Sequence, residues 1–300
     1  MKKFVVPGIL LIVIASLILI QCEQPKEEGF SFVFMTDIHL QPERNAPEGF
    51  KQAIDTVNEL KPDFVITGGD LIMDALGQSY GRADSLYKLY ADVAKNFNMP
   101  VYNTMGNHEI YGIYEKSGAE ITHPEYGEKM FEVRFGKSYY AFEHEGWKFM
   151  IINSIEDTKK DGYIGKIDDK QIEWIKQELE KTDTTQPIVL STHIPFFTAF
   201  MQKYYGSTRA NDSSLVIYNA KEVVDLFENH NLKLVLQGHL HTVEDIFIDD
   251  IHFITGGAVS AAWWRGANRG FEEGFVLVNV KGEEFDWEYI DYGWEVPEEN

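Results

Sequence analysis

From residue 30 onward the chain alternates short apolar runs, rich in β-branched and aromatic residues, with longer stretches whose apolar positions recur every three or four residues. The first pattern suits strands buried on both faces, the second helices with one apolar stripe. Residues 30–35, 64–67, 100–104, 188–192 and 232–236 are thus predicted strands, and 48–60, 82–97, 168–181 and 219–229 predicted helices. In the first helix Phe50, Ile54, Val57 and Leu60 line one face. Regular alternation of the two kinds predicts an α/β domain. Three paired runs break the rhythm: 139–144 and 147–153 flank Glu145 and Gly146, 244–248 and 251–255 flank Asp249 and Asp250, and 275–280 and 285–289 flank a turn containing Gly282. Each pair reads as a hairpin, and because hairpins are antiparallel the sheets should be mixed. No repeat, low-complexity tract or Pro/Gly/Ser-rich linker interrupts residues 30–293, which read as one domain followed by a polar tail at 294–300.

The start of the chain follows neither pattern. Lys2 and Lys3 precede a seventeen-residue apolar stretch, 4–20, closed by Gln21 and Cys22, and a short polar linker covers 23–29. This is a targeting segment, outside the fold. It fits a cleaved lipoprotein signal with lipid on Cys22, or an uncleaved membrane anchor of marginal length, since a spanning helix needs about 20 apolar residues. Leu19, Ile20, Gln21 and Cys22 resemble a bacterial lipobox, with Gln21 where a small residue is usual. Either reading places the globular part in the cell envelope, outside the cytoplasm and held at a membrane. Cys22 is the only cysteine, so no intrachain disulfide is expected. With 27 basic and 48 acidic residues spread along the chain, a nucleic-acid backbone is disfavoured as a partner.

Candidate chemistry follows the strands. The first runs into Asp37 and His39, the second into Gly69 and Asp70, the third into Gly106, Asn107, His108 and Glu109, the fourth into His193, and the fifth into Gly238, His239 and His241. Ligands of open α/β sheets collect at the carboxyl ends of strands, so these five ends can converge. Imidazole mixed with carboxylate and amide oxygen, without thiolate, suits Zn, Mn or Fe and argues against a closed structural zinc site. Seven ligands, Asp37, His39, Asp70, Asn107, His193, His239 and His241, exceed one tetrahedral ion and suit two ions with a bridging carboxylate. The glycines before three ligand groups allow sharp turns and close approach of backbone.

These blocks, DxH, GD, GNHE, a lone TH and GHxH in that order, resemble the signature of the calcineurin-like metallophosphoesterases over residues 30–290. The resemblance implies a four-layer αββα sandwich of two mixed sheets flanked by helices. It also implies a dinuclear centre: Asp37, His39 and His241 on one ion, Asn107, His193 and His239 on the other, Asp70 bridging. Such a pair would lower the pKa of a shared water and clamp a phosphoryl group through in-line displacement on a small phosphomonoester or phosphodiester. His108 would stabilise transition-state charge or protonate the leaving oxygen. The protein-phosphatase branch has an aspartate three residues after the GD aspartate; here Met73 stands there and Asp74 one later. The ligand tyrosine of a purple acid phosphatase is missing from 71–73. The look of 139–153 and 256–270 is closer to the cyclic-nucleotide phosphodiesterase-like branch.

Paired tryptophans and arginines after the HxH suggest a substrate rim containing Trp264 and Arg265, and the Phe/Tyr-rich stretch 194–209 suggests a loop over the site bringing Arg209 to a phosphate. His123, His144, His230 and His252 match no block and read as surface or hydrogen-bonded histidines. The rival function is a non-catalytic envelope lipoprotein using the same fold for binding; its expected mark is a lost ligand, and none is lost.

Overall fold

The computed structural model describes residues 29–160 and 162–297. The apolar leader, Cys22, the linker up to residue 28 and the last three residues of the tail lie outside the described residues. Among those described, no helix is long and apolar enough to cross a membrane.

Five strands build the first sheet. β1 (Gly29–Met35), β2 (Phe64–Thr67) and β3 (Val101–Asn103) run parallel, and β12 (Gly274–Lys281) and β13 (Glu284–Asp291) add an antiparallel hairpin beside β1, giving the order β13-β12-β1-β2-β3. A second sheet of six has the order β10-β11-β9-β8-β5-β4. Its parallel centre is β5 (Trp147–Ile151), β8 (Ile188–Ser191), β9 (Leu232–Gln237) and β11 (Ile251–Gly256), with β4 (Tyr140–His144) and β10 (Val243–Ile248) antiparallel at the edges. All five strands expected to carry ligands are present, and the three expected hairpins turn at residues 145–146, 249–250 and 282–283.

The pleat explains the layers. Phe30, Phe32 and Phe34 of β1, with Phe64, Ile66 and Val276 of the same sheet, meet Phe149, Val189, Leu234, Leu236 and Ile254 of the other in a buried core between the sheets. Phe32 and Phe64 stack with ring centroids 5.2 Å apart, and Phe149 meets Phe64 edge-on at 5.1 Å. The alternate residues, Val33, Met35 and Val65, face helices α1 (Ala46–Leu60) and α2 (Tyr80–Ala94). On the outer face of the second sheet Ile188 and Leu190 meet the apolar stripes of α4 (Asp169–Leu179) and α6 (Ala220–Asp225). The result is helix, sheet, sheet, helix.

Local chemistry sets the helix ends. Pro47 opens α1, where its missing N–H costs nothing, and Lys61 in the left-handed region closes it on Val57. Asp168 caps α4 by accepting from the Gln171 N–H at 2.8 Å. α6 stops four residues short of its predicted end because its last turns tighten to three-residue bonds, Leu226 to Val223 and Phe227 to Val224. Three features had no clear period to betray them: α3 (Lys129–Phe135), the hairpin of β6 (Ile155–Asp157) with β7 (Tyr163–Gly165), and α5 (Phe200–Tyr205), which lies inside the stretch expected to be a loop. Beyond β13, Trp294 packs edge-on against Trp264 at 6.1 Å, so packing runs past residue 293.

Candidate metal centre

The segments after β1, β2, β3, β8 and β9 meet at one place, and the seven residues expected there come together in two groups. Asp37, His39 and His241 offer ligand atoms within 4.8 Å of one another, as do Asp70, His193 and His239; His39, Asp70 and His108 form a third such trio that shares members with both. Asn107 joins the second group, its Oδ1 3.1 Å from His193 Nε2. His239 and His241 therefore turn to different groups. Asp70 lies between them, its Oδ2 3.2 Å from His193 Nε2 and 3.6 Å from His39 Nε2.

Each ring but one is held by a backbone carbonyl. His193 donates from Nδ1 to Gly68 at 2.8 Å, His239 from Nε2 to Ser214 at 3.0 Å, and His241 from Nδ1 to Ala261 at 2.5 Å. His108 uses Nδ1 on the Met73 carbonyl. A neutral imidazole that donates at one nitrogen presents a lone pair at the other. These lone pairs converge: His39 Nε2 lies 3.0 Å from His241 Nε2, and His193 Nε2 lies 3.2 Å from His239 Nδ1. Asp37 Oδ1 is buried without a hydrogen-bond partner, 3.2 Å from His241 Nε2. Facing acceptors with an orphaned carboxylate oxygen are repulsive unless a cation or a proton lies among them. The donor set, oxygen and imidazole without sulfur, fits divalent transition metals.

Electrostatics agree. Burial would raise the Asp37 carboxyl, yet His241 beside it holds it down at about 2. Burial likewise opposes ionisation of Asp70, and His193 and His108 carry it well below the usual carboxylate range. Burial would lower His193, but Asp70 lifts it to about 9, while burial and the neighbouring His193 push His239 down to about 4. The facing pair thus shares one proton at most, and ions can replace it.

The backbone is strained here. Asp37, His39, Asp70, His239 and His241 have φ of 56°, 47°, 51°, 72° and 51°, a region few side chains enter, and such outliers gather at functional sites. Glycines make room, as expected: a Cβ on Gly106 would lie 2.3 Å from Asp70 Oδ1, and one on Gly238 would lie 2.0 Å from Thr36 Oγ1.

Residues 30–243 match the family model of calcineurin-like phosphoesterases. The chain belongs to the calcineurin-like phosphoesterase family. Within the curated proteins it is 21% identical over 248 residues to a protein of Xenorhabdus bovienii named a probable cyclic nucleotide phosphodiesterase, covering 79% of this chain and 88% of that one. It is 21% identical over 217 residues to a human protein named manganese-dependent ADP-ribose/CDP-alcohol diphosphatase, covering 56% of this chain and 62% of the relative, which it therefore spans by less than two thirds. A dimetal phosphatase from Danio rerio shares the fold at a TM-score of 0.59 and 14% identity, covering 88% of this chain and 99% of the other. So does GAP50, the anchor in the inner membrane complex of Plasmodium, at 0.56 and 14%, covering 89% and 86%. This calcineurin-like phosphoesterase is accordingly an enzyme of phosphoester hydrolysis with side-chain clusters suited to a divalent metal centre.

The expected substrate rim needs correction. Trp264 is 1% exposed and seated in the core, its Nε1 donating to the carbonyls of Ile38 and His39 at 3.0 and 3.2 Å. It is an anchor beneath the site. Trp263 is instead the tryptophan exposed beside the centre: it is 38% exposed, with its ring 4.5 Å from that of His241 and 5.9 Å from that of His39. Arg209 and Arg265 are exposed and make no side-chain hydrogen bond or ion pair among the described residues. Arg269 is the arginine fixed by aromatic rings, 4.4 Å over Tyr204 and 5.2 Å over Phe200. Asp74 serves its own turn, accepting from Gly77 and Gln78.

Sequence reasoning also passed over Glu109. Fully buried, its carboxylate accepts four backbone N–H bonds, from Gly106 at 2.7 Å, Asp70 at 2.9 Å, Leu71 at 2.8 Å and Ile72 at 3.1 Å. It ties the loop after β2 to the loop after β3. The signal was available: an acid three residues after a glycine at a strand end, followed by apolar Ile110, has no solvent to face.

Proposed function

We propose that this chain is a two-metal phosphoesterase in which Asp37, His39 and His241 hold one divalent ion, Asn107, His193 and His239 the other, and Asp70 bridges them. The observation that carries this reading is the convergence of imidazole nitrogens with carboxylate and amide oxygens from five strand ends and two sheets, with ring nitrogens facing one another at 3.0 and 3.2 Å and Asp37 Oδ1 buried without a hydrogen-bond partner. Mn, Fe or Zn, once bound, supply Lewis acidity that lowers the pKa of water and offsets phosphoryl charge. The chain's own part is to aim the ligands and to place His108. That residue, 20% exposed at its side chain, uses Nδ1 on Met73 and leaves Nε2 at the opening, 3.8 Å from Asp70 Oδ2, where it can donate a proton to a leaving oxygen or stabilise charge on the phosphoryl group. The substrate is a small phosphorylated molecule. The names of the two curated relatives, a phosphodiesterase and a diphosphatase, favour a phosphoryl group that carries a second ester or anhydride over a simple monoester.

The test is hydrolysis of bis(p-nitrophenyl) phosphate beside p-nitrophenyl phosphate with Mn, Fe or Zn, in the natural chain and in Asp70→Asn, with bound metal counted by elemental analysis. Metal-dependent turnover that favours the diester, and that disappears in the variant with loss of bound metal, is expected. Turnover indifferent to Asp70→Asn would refute the centre.

Lys2, Lys3, the apolar stretch 4–20 and Cys22 support an envelope location with lipid on Cys22. Incorporation of radiolabelled palmitate that Cys22→Ala abolishes is the expected result; label retained in that variant rules the lipid assignment out.

A further inference from the structure

We infer that Trp263 is a specificity-determining residue, a planar wall beside the metal centre that selects phosphoesters carrying a flat aromatic group. This rests on the hydrolase reading above and goes beyond it by naming the substrate's second half.

Three observations carry it. The indole lies over the Asp37, His39 and His241 group, 4.5 Å from the His241 ring at a tilt of 37° and 5.9 Å from the His39 ring at 50°, so the imidazoles do not stack flat against it. It is 38% exposed, while the neighbouring Trp264 is 1% exposed. The backbone is forced to do this. Ala261, Trp263 and Trp264 have φ of 39°, 54° and 65°, and a bulky residue in that region is a strained outlier.

The strain is maintained by a built scaffold. Ser260 donates to the Asp37 carbonyl from its hydroxyl at 2.8 Å and from its amide at 3.2 Å, the Trp264 N–H reaches Ser260 at 2.7 Å, and the Ala262 N–H reaches Gly266 at 3.0 Å. Trp264, bonded by Nε1 to Ile38 and His39, sits against α1 where Gly49 leaves the space; a Cβ there would come within 2.4 Å of the indole. One tryptophan is thus the nail and the next is the plate it holds out. A rigid, partly desolvated indole face recognises flat π-systems, through offset stacking that is insensitive to their hydrogen-bonding pattern. Aryl and nucleobase esters share that chemistry.

Methyl p-nitrophenyl phosphate and phenyl p-nitrophenyl phosphate lose the same leaving group and differ in the ester group that remains, so the change in their ratio of kcat/KM between the natural chain and a Trp263 variant isolates the wall. The full chain loaded with metal is expected to prefer the phenyl ester. Trp263→Leu, which keeps bulk and removes the π-face, and Trp263→Ala should each reduce that preference about fivefold, mainly through KM, while Trp263→Phe keeps most of it. Calorimetric binding of phenylphosphonate against methylphosphonate should show the same ordering without turnover. A phenyl-to-methyl ratio unchanged in both Trp263→Leu and Trp263→Ala overturns the proposal, including when bound metal falls, since the tryptophan then merely braces His241. Absence of hydrolysis of either ester by the metal-loaded natural chain instead overturns the hydrolase reading.

Discussion

At the scale of single residues the site separates groups that face the reaction from groups that hold them. The seven candidate ligands were legible because metal-competent side chains recur directly after apolar runs, and no solvated face needs that regularity. Glu109 and Trp263 were less legible, since their roles depend on contacts distant in sequence: Glu109 on the N–H groups of residues 70–72, Trp263 on a ring 22 positions earlier. Glu109 is a positioning residue. Glu109→Ala would leave four buried N–H groups without an acceptor, and urea unfolding should show a loss of about 3 kcal/mol or more. Glu109→Gln keeps one acceptor oxygen and turns N–H towards N–H on the other side, so an intermediate loss together with weaker metal retention is expected; a loss below about 1 kcal/mol in the alanine variant would mean that water replaces the carboxylate. Trp264→Ala, which empties a fully buried site under α1, should cost about 3–5 kcal/mol by the same measurement.

Elements were readable to the extent that their periods were long. The four main helices and the five ligand-bearing strands lie within a few residues of their predicted positions, and β2 coincides with its prediction. The three-residue strands β6 and β7 and the six-residue α5 span too few positions for a period to register. What the sequence displayed without explaining was why the strand ends carry glycine. Gly238 ends β9 where the turn after β1 passes, and its missing Cβ accommodates Thr36 Oγ1 and, at 2.8 Å, Asp37 Oδ2. Gly238→Ala should therefore push Asp37 off its bonds to Thr36 and the His239 N–H, costing about 2 kcal/mol and weakening metal binding. Because the first clash is with a side chain, adding Thr36→Ala should restore part of both in a double-mutant cycle followed by denaturation and metal titration. Strictly additive losses would place the defect in the backbone of the turn instead.

For the whole molecule, the candidate centre lies where the carboxyl ends of strands from both sheets bring side chains into contact about a common point. The first sheet sends Asp37, His39, Asp70 and Asn107; the second sends His193, His239 and His241, and each ligand group draws on both. Between the sheets the core contacts are apolar and without direction, so they set distance well and register poorly, and directional bonds such as Tyr140 to Asn103, Trp147 to Gly282 and Trp287 to Asp245 lie towards the edges. Ions held from both sides, as proposed, would tie the sheets together at this point, and binding energy that exists only in the assembled site is folding energy. Metal at a hundred times its dissociation constant adds about 2.7 kcal/mol per site. For the two proposed sites in a domain of this size that corresponds to a rise in melting temperature of about 10–20 °C. Calorimetric scans of metal-loaded and chelated protein should differ by that amount, and Asp70→Asn, lacking the group shared by both halves, should show a much smaller difference. Hydrogen exchange should localise the effect: chelation should speed exchange most at the ends of β1, β2, β8 and β9, and leave the Phe32–Phe64 end of the core unchanged. Uniform acceleration through both sheets would instead show that the ions stabilise the fold as a single cooperative unit and do not act as a clamp between its layers.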